Sequence, residues 1–400
     1  MAEKKKREIP EYLAPYFSRK TQLKYYLDYK KHAKQIRDID NKFICLKGFS
    51  SSTPFYRASS FNSTSLGGGF FFCWHGLGIA VDPGIGFMTQ MHEYGILIDD
   101  IDVVIVTHAH IDHNQDVRGI ASLLYEYNKG RERNAKFYNT LLPNTVLTNN
   151  HSIHWVLDSS TYQQVKEDIG GQKVTLLKSI IESKSTVKLS DDTELIPFIT
   201  EHIEGDSFGI KLVFKDSEKE HIWGYTSDTK YFTGLLDSLS DCEIIIMNIS
   251  DVYYQDVEGV KAKNGHLGFD GCMQLLENLD PSIALISEFT CMNGDYRFET
   301  IKGLCDNTKD KNVRIMPADV GLSLSINGET VRCSYCGHFH SVSETRVIRP
   351  TEYYSQIGYV CQKCMIETLS NPQQSWGESC TQVAITKATE KNSVVYYVRV

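Results

Sequence analysis

No stretch of the sequence is apolar for long enough to cross a membrane as a helix, which takes about 18 residues or more. The charged start Met1–Arg7 is followed by no apolar segment, so it does not resemble a secretory signal. Internal repeats and low-complexity tracts are lacking as well. These absences, with 41% hydrophobic and 23% charged residues in a chain of 400, indicate a globular protein of two or three domains without a membrane partner.

The 42 Lys and Arg residues are fewer than the 50 Asp and Glu residues, and the net charge of −8 argues against a protein that coats nucleic acid over its whole surface. Residues 1–40 are the exception, with eleven Lys or Arg against six Asp or Glu and six interleaved aromatic residues. Such a mixture can hold phosphates and stack bases. The favoured interpretation is a basic helical extension that docks on the body of the protein, on a protein partner or on a second copy of the chain.

The most informative segment reads T-H-A-H-I-D-H and runs from Thr107 to His113. It follows the β-branched run Val103–Val106, which is typical of a strand buried on both faces. Its metal-capable side chains therefore lie at the carboxyl end of a strand, where open α/β sheets place their chemistry. The first two histidines can hold one ion, and Asp112 with His113 points to a second position about 3.5–4 Å away, as in two-metal hydrolases. Imidazole with carboxylate suits zinc, with manganese or iron as alternatives.

This segment resembles the signature of the metallo-β-lactamase fold superfamily. The resemblance implies an α/β protein built as an αββα sandwich, with further functional residues in a fixed chain order. Asp82 would support the metal loop by hydrogen bonding after the strand Ile79–Val81. The implied ligands are His108, His110 and His202 at one divalent ion, Asp112, His113 and His266 at the other, and Asp228 between the two ions. His151 and His154 are weaker alternatives to His202, because the sequence around them does not resemble the end of a strand.

Two features refine the branch of the superfamily. In tRNase Z a long arm that grips tRNA lies between the third histidine and the bridging aspartate, but only 26 residues separate His202 from Asp228, so that arm is absent. The start of the domain nevertheless resembles tRNase Z and its phosphodiesterase relatives, in which a small-residue loop approaches the scissile phosphate. Ser50, Ser51 and Ser52 are therefore candidate substrate contacts, and an ordinary hairpin connection explains them equally well.

Four of the eleven cysteines form two C-x2-C pairs with 24 residues between them. This spacing is typical of a zinc ribbon, in which four thiolates close a tetrahedral shell around one structural zinc. The predicted ligands are Cys333, Cys336, Cys361 and Cys364. The other seven cysteines show no pattern, and free thiols together with metal sites suggest a cytoplasmic protein.

The sequence predicts four segments along the chain. They are a basic helical extension over 1–40, a metallo-β-lactamase-like catalytic domain over 41–328, the four-cysteine zinc ribbon over 329–370 and a C-terminal strand tail over 371–400. An alternating strand before the turn Asn327–Gly328 closes the catalytic domain. The tail carries the apolar strand Val394–Val398, whose partner the sequence does not identify.

The implied ligands predict a metal-dependent hydrolase in which two ions activate a shared water as hydroxide. Asp112 would orient this water and move its proton, and Asp228 would fix the separation of the ions. Glu288, after the strand Ile283–Ile286, and Thr226 are weak candidates for the acid that protonates the leaving group. We favour a phosphodiesterase that acts on a nucleic acid or a cyclic nucleotide. The alternatives are a lactonase or thioesterase that hydrolyses a carboxylic ester bond, and a non-catalytic, metal-stabilised platform that binds nucleic acid or protein.

Overall fold

Two facing β-sheets form the body of the protein. The computed structural model describes residues 40–49, 68–141, 150–203, 206–249, 265–289, 296–348, 357–370 and 395–396. The predicted helical extension before Asp40, the loop serines Ser50–Ser52 and most of the C-terminal tail lie outside these residues. Within the described residues, no helix is both long and apolar enough to span a membrane.

The strands follow one another as hairpins and as strand–helix units. In chain order they are β1 Lys42–Cys45, β2 Phe70–Trp74, β3 Leu77–Val81, β4 Val103–Val106, β5 His154–Leu157, β6 Val174–Leu176, β7 Val187–Lys188, β8 Thr193–Ile199, β9 Phe208–Lys215, β10 Glu220–Tyr225, β11 Ile244–Asn248, β12 Ile283–Ser287, β13 Arg314–Pro317, β14 Ser323–Ser325, β15 Thr330–Arg332, β16 Phe339–Ser341, β17 Thr345–Ile348, β18 Gly358–Cys361 and β19 Val395–Tyr396. The described α-helices span Phe87–Glu93, Ile111–Asn114, Val117–Leu141, Ser159–Val165, Leu177–Glu182, Thr233–Leu239, Phe269–Asn278, Arg297–Asn307 and Gln362–Ser370, with 3-10 turns at Ile98–Asp100 and Val342–Glu344.

Both large sheets are mixed. The first has the strand order β16-β15-β14-β1-β2-β3-β4-β5-β6 and is parallel from β3 to β6. The second has the order β13-β12-β11-β10-β9-β8-β7 and is parallel from β10 to β13. The predicted strand Val103–Val106 is confirmed as β4, which lies between two parallel neighbours and is buried along its whole length. This arrangement is the predicted α/β sandwich.

Aromatic side chains fill the space between the two sheets. The ring of Phe43 lies 5.0 Å from that of Trp223 in the opposite sheet, and Phe72 meets the same indole edge-on at 5.2 Å. The indole N–H of Trp223 donates to the carbonyl of Ile326 at 2.8 Å, so this fully buried donor is satisfied. On the outer face of the second sheet, the helix Phe269–Asn278 buries Cys272 among its apolar residues, as its sequence periodicity predicts.

The C-terminal residues continue the sandwich and add a small sheet. β15 and β16 extend the first sheet past residue 328, and β17 joins β18 and β19 in a third sheet of order β18-β17-β19. The parallel partner of the predicted tail strand is therefore β17. Buried Arg297 forms an ion pair with Asp319 at 2.7 Å, and the same carboxylate accepts a hydrogen bond from the backbone of Ile357. These contacts fix β18 firmly against the second sheet.

Candidate active site

The predicted functional residues meet at one edge of the sandwich, where strands of both sheets end. Asp82, Ser227 and Glu288 follow directly or closely after β3, β10 and β12, and each has a left-handed backbone with φ of 49°, 52° and 60°. Such a conformation costs energy in a residue other than glycine and concentrates at functional sites. Here three strands turn sharply at their carboxyl ends, which brings side chains from both sheets to the same edge.

A first donor group forms around three histidines. His108 Nε2 lies 3.0 Å from His110 Nδ1, which lies 3.3 Å from His202 Nε2. Asp228 Oδ2 lies 3.5 Å from His108 Nε2. Ligand atoms at the corners of a tetrahedron around zinc are separated by about 3.3 Å when each bond is about 2.0–2.1 Å long. The spacing of these four atoms therefore fits one divalent ion of the zinc class.

The protonation pattern of this group agrees with ligation. His202 Nδ1 lies 2.8 Å from the carbonyl of Gly265, so Nδ1 carries the hydrogen and the lone pair of Nε2 faces His110. Burial, followed by the charge of His113, lowers the pKa of His108 to about 4, which keeps its imidazole neutral. The Nε2 lone pair of His202 and the Asp228 carboxylate can both bind a cation that is placed among these atoms. The donor set thus has the chemistry of a metal site.

Asp82 lies at the centre of a hydrogen-bond network beside the metal-capable loop. Its fully buried carboxylate accepts from the backbone N–H and the hydroxyl of Thr107, from His113 Nδ1 and from the Tyr225 hydroxyl, all at 2.8 Å. The Thr107 hydroxyl also meets the Ser227 hydroxyl at 2.7 Å. Burial alone would raise the pKa of Asp82, but His113, with His108 and Lys47, lowers it below its ordinary value. The metal-capable loop is therefore anchored to β3 and to β10 together.

A second donor group consists of Asp112, His113 and Glu288, with one ligand-capable atom from each within 4.8 Å of the others. His113 Nε2 lies 3.3 Å from Glu288 Oε1, 3.4 Å from Asp228 Oδ2 and 3.9 Å from Asp112 Oδ2. Burial alone would raise the pKa of the Asp112 carboxyl, but His113 and Lys47 hold it well below its usual range. Asp112 is thus an anion inside this pocket.

Lys47 enters the same pocket from the segment after β1. Its side chain is fully buried, and Nζ lies 3.0 Å from Glu288 Oε1 and 3.4 Å from His113 Nε2. Burial alone would lower the pKa of Lys47, but Glu288, Asp112 and Asp228 raise it above its ordinary value. Burial and the charge of Asp228 raise the pKa of Glu288 to about 8 even with Lys47 beside it. These three acidic side chains, with Asp82 on the other side of His113, favour a positive charge in the pocket.

The structure places His266 on the side of the first group. His266 Nδ1 lies 3.5 Å from Asp228 Oδ2, and its ring centroid is 4.8 Å from that of His202. This nitrogen is buried and has no hydrogen-bond partner within the described residues. Glu288, and not His266, has its donor atom together with those of Asp112 and His113. The sequence therefore identified His266 as part of the site, while the structure gives it different neighbours from those that the resemblance implies.

Lys47 and Asn248 belong to the candidate active site but were not predicted from the sequence. Lys47 lies in the apolar run Phe43–Phe49, and a single lysine inside such a run is a signal of a buried cation. Asn248 at the end of β11 donates to Asp228 Oδ1 and to the Tyr225 hydroxyl, both at 3.0 Å, but nothing in its sequence context marks it. Thr226, a predicted proton donor, is buried and donates to the carbonyl of Ser227.

The alternative histidines have structural roles. His151 Nε2 donates to the carbonyl of Ile101 at 2.7 Å, since a carbonyl can only accept. His154, at the start of β5, pairs through Nε2 with the Thr175 hydroxyl on β6 at 2.8 Å. Neither belongs to a donor group of the described residues. Their hydrogen bonds join loops and strands of the first sheet.

The four predicted zinc-ribbon cysteines come together at the C-terminal end of the described chain. Cys333, Cys336, Cys361 and Cys364 have their sulfur atoms within 4.8 Å of one another. The backbone N–H of Cys361 donates to Cys333 Sγ at 3.4 Å, and that of Cys364 donates to Cys361 Sγ at 3.5 Å. Burial alone would raise the pKa of Cys333, but backbone N–H groups lower it. N–H donation to sulfur is what a metal-bound thiolate requires, so this cluster fits a closed zinc site.

Comparisons with known proteins agree with this geometry. Residues 78–287, just over half of the chain, match the sequence model of the family described as beta-lactamase superfamily domain. A ribonuclease Z from Thermobifida fusca is 40% identical over 82 residues, which cover 20% of this chain and 24% of that protein. A ribonuclease Z from Aeropyrum pernix is 22% identical over 219 residues, which cover 43% of this chain and 66% of that protein. The chain therefore spans less than two thirds of the length of either curated relative.

A solved structure with the same fold is that of the metallo-beta-lactamase fold protein YhfI from Bacillus subtilis. The TM-score is 0.51 at 14% sequence identity, and the match covers 70% of this chain and 98% of that one. At this identity the match supports the fold alone.

Proposed function

The chain belongs to the beta-lactamase superfamily, and we propose that it is a metal-dependent phosphodiesterase that acts on a nucleic acid or a cyclic nucleotide. The observation that carries the proposal is the convergence of three imidazole nitrogens and the Asp228 carboxylate at separations of 3.0 to 3.5 Å. The similarity to two ribonuclease Z proteins favours a phosphodiester over a carboxylic ester as the bond that is cleaved.

The donor group would hold a divalent ion through His108, His110, His202 and Asp228, with zinc favoured and manganese or iron as alternatives. When bound, such an ion lowers the pKa of a water molecule and polarises an oxygen of the substrate. Of the two ions that the sequence predicts, this mechanism needs only the one at this group. Asn248 fixes the Asp228 carboxylate through its side-chain amide, so the donor group is organised before substrate arrives.

Asp112 is the residue that we assign to proton movement. It lies two residues after His110, is 7% exposed and is kept ionised by His113 and Lys47. An ionised carboxylate can accept the proton of an attacking water and orient that water by hydrogen bonding. Thr226 does not suit protonation of the leaving group, because its hydroxyl already donates to a backbone carbonyl, whereas Glu288, whose pKa is raised to about 8, stays a weak candidate for this acid.

The remaining assignments are also proposals. We propose that Cys333, Cys336, Cys361 and Cys364 hold one structural zinc, and that the segments 1–40, 41–328, 329–370 and 371–400 are the units of the chain. β15 belongs to the first sheet although it follows the predicted domain boundary at residue 328. The zinc ribbon would therefore be an extension of the catalytic domain, and the two would share this sheet. Contact with a protein partner or a second copy through the ribbon or residues 1–40, and a cytoplasmic location, stay predictions.

The test is metal analysis together with a hydrolysis panel on the full-length protein. The panel contains bis-p-nitrophenyl phosphate, cyclic mononucleotides, single- and double-stranded RNA and DNA, and lactones. We expect phosphodiester cleavage that is lost in His110→Ala and retained in His92→Ala, because His92 is exposed on the helix Phe87–Glu93. Rapid lactone turnover without phosphodiester cleavage would identify an esterase-type hydrolase instead. A folded His110→Ala protein that keeps every biological effect would identify a binding platform.

A further inference from the structure

Lys47 has three close polar partners inside the second donor group. An ammonium group has three N–H donors. Nζ has three partners on the protein, namely Glu288 Oε1 at 3.0 Å, His113 Nε2 at 3.4 Å and the carbonyl oxygen of Asp112 at 3.4 Å. The side chain is 0% exposed, so water does not compete for these contacts. The lysine is therefore built into the pocket.

Both ring nitrogens of His113 have close neighbours on the protein. Asp82 Oδ2 lies 2.8 Å from His113 Nδ1, and a carboxylate can only accept, so Nδ1 carries a hydrogen. The other nitrogen, Nε2, lies 3.4 Å from Lys47 Nζ and 3.3 Å from Glu288 Oε1. A metal ion at Nε2 would therefore lie beside the ammonium group of Lys47.

The second donor group therefore fits a second metal ion poorly. The resemblance implies Asp112, His113 and His266 as its ligands, but His266 lies beside Asp228 and is not grouped with the other two. A divalent ion bound to Glu288 and His113 would also share both ligands with a lysine ammonium, and like charges at such a distance repel strongly in a buried site. In contrast, within the part of the chain that the structure describes, no lysine lies between the donor atoms of the first group.

We infer that Lys47 is a built-in cation that takes the place of a second metal ion among Asp112, His113 and Glu288, so that the catalytic centre binds a single divalent ion at His108, His110, His202 and Asp228. This inference concerns the composition of the centre and does not depend on which bond is hydrolysed. It departs from the two ions that the sequence predicts. Lys47 is a positioning residue in this scheme, because it contacts His113 and Glu288 and is itself fully buried.

The experiment measures bound zinc per chain by mass spectrometry after metal depletion, reloading with Zn²⁺ and removal of the excess. Full-length wild type is compared with His110→Ala and His113→Ala, and the difference between proteins does not depend on how fully the cysteine cluster is loaded. We expect about one ion fewer in His110→Ala and no loss in His113→Ala. In Lys47→Ala, which frees the second donor group, we expect about one ion more than in wild type, and this gain should vanish in Lys47→Ala/His113→Ala.

Circular dichroism and thermal unfolding show whether each variant is folded. If Lys47→Ala fails to fold, His110→Ala and His113→Ala with Lys47 in place still decide the question. A loss of about one ion in folded His113→Ala overturns the inference, because His113 would then be a metal ligand in wild type. An unchanged zinc content in folded Lys47→Ala also overturns it, since the pocket would not be the site of a displaced ion.

Discussion

Replacement of Asp82 by Asn tests whether this buried carboxylate organises the active-site edge. The amide oxygen can still accept from the backbone N–H of Thr107, but the amide nitrogen takes the place of Oδ2, which accepts from the Thr107 hydroxyl, His113 Nδ1 and the Tyr225 hydroxyl. Each buried donor that loses its acceptor costs about 1–3 kcal/mol. The two hydroxyls can rotate towards Ser227 and other neighbours, whereas the imidazole N–H cannot. We therefore expect a loss of about 3 kcal/mol in the free energy of unfolding, which is a large part of the roughly 5–15 kcal/mol of a typical domain.

The measurement is urea unfolding of the full-length protein, followed by circular dichroism at fixed zinc concentration. At a slope of about 3 kcal/mol per molar urea, a loss of about 3 kcal/mol lowers the midpoint by about 1 M. The matched control is Tyr225→Phe, which removes one donor to Asp82 and the acceptor of one Asn248 N–H, and leaves Asp82 its other three hydrogen bonds, at a cost of about 1–2 kcal/mol. The reasoning is refuted if Asp82→Asn unfolds at the same urea concentration as Tyr225→Phe.

Three further changes probe separate parts of the structure. In Gly265→Ala the new Cβ would lie about 3.1 Å from His202, in a residue with a backbone φ of +62°. We therefore expect the zinc affinity of the first donor group to fall about 10- to 100-fold in a competition titration with a chelator. An unchanged affinity would show that His202 is not a ligand. In Cys361→Ser the cysteine cluster loses one thiolate, so we expect about one zinc ion fewer per chain and a lower melting temperature, and full zinc content would contradict a closed site. Burial, followed by the charge of Lys173, lowers the pKa of His154 from its ordinary 6.5 to about 4. Between these pH values the unfolded chain binds a proton that the native chain does not bind, so the free energy of unfolding falls as the pH drops through this interval. His154→Gln should therefore show a smaller drop in melting temperature between pH 7 and pH 5 than wild type, and equal drops would contradict this assignment.

The order of the site along the chain could be predicted because each functional residue follows a locally recognisable strand. Val103–Val106 is β-branched and uninterrupted, and it forms the buried β4 that presents the histidine loop. His202 and Asp228 follow β8 and β10 in the same way. A strand that ends in a ligand is a local pattern, so a single sequence reveals it.

The partners within the site could not be predicted, because they depend on how the two sheets lie against each other. Lys47 contacts Asp112 and His113 across 65 and 66 residues of sequence, and Glu288 reaches the same pocket from the second sheet. Hydrophobic periodicity shows that β1 and β12 are strands, but it does not show which of their ends meet. The sequence singled out Glu288 and His266, which lie beside the other candidate ligands, but it could not assign their neighbours.

The histidines of the T-H-A-H-I-D-H segment are distinguished by what each ring nitrogen contacts. His108 uses Nδ1 towards the Thr107 hydroxyl at 3.3 Å and directs Nε2 at His110 and Asp228. His113 has Asp82 on one nitrogen and Lys47 on the other. Within one short motif, His108 thus suits a metal ligand, whereas His113 lies between a carboxylate and an ammonium group. The motif H-x-H-x-D-H therefore predicts where ions can bind, but it does not specify neighbours such as Lys47 and Glu288, on which the binding of a second ion beside His113 depends.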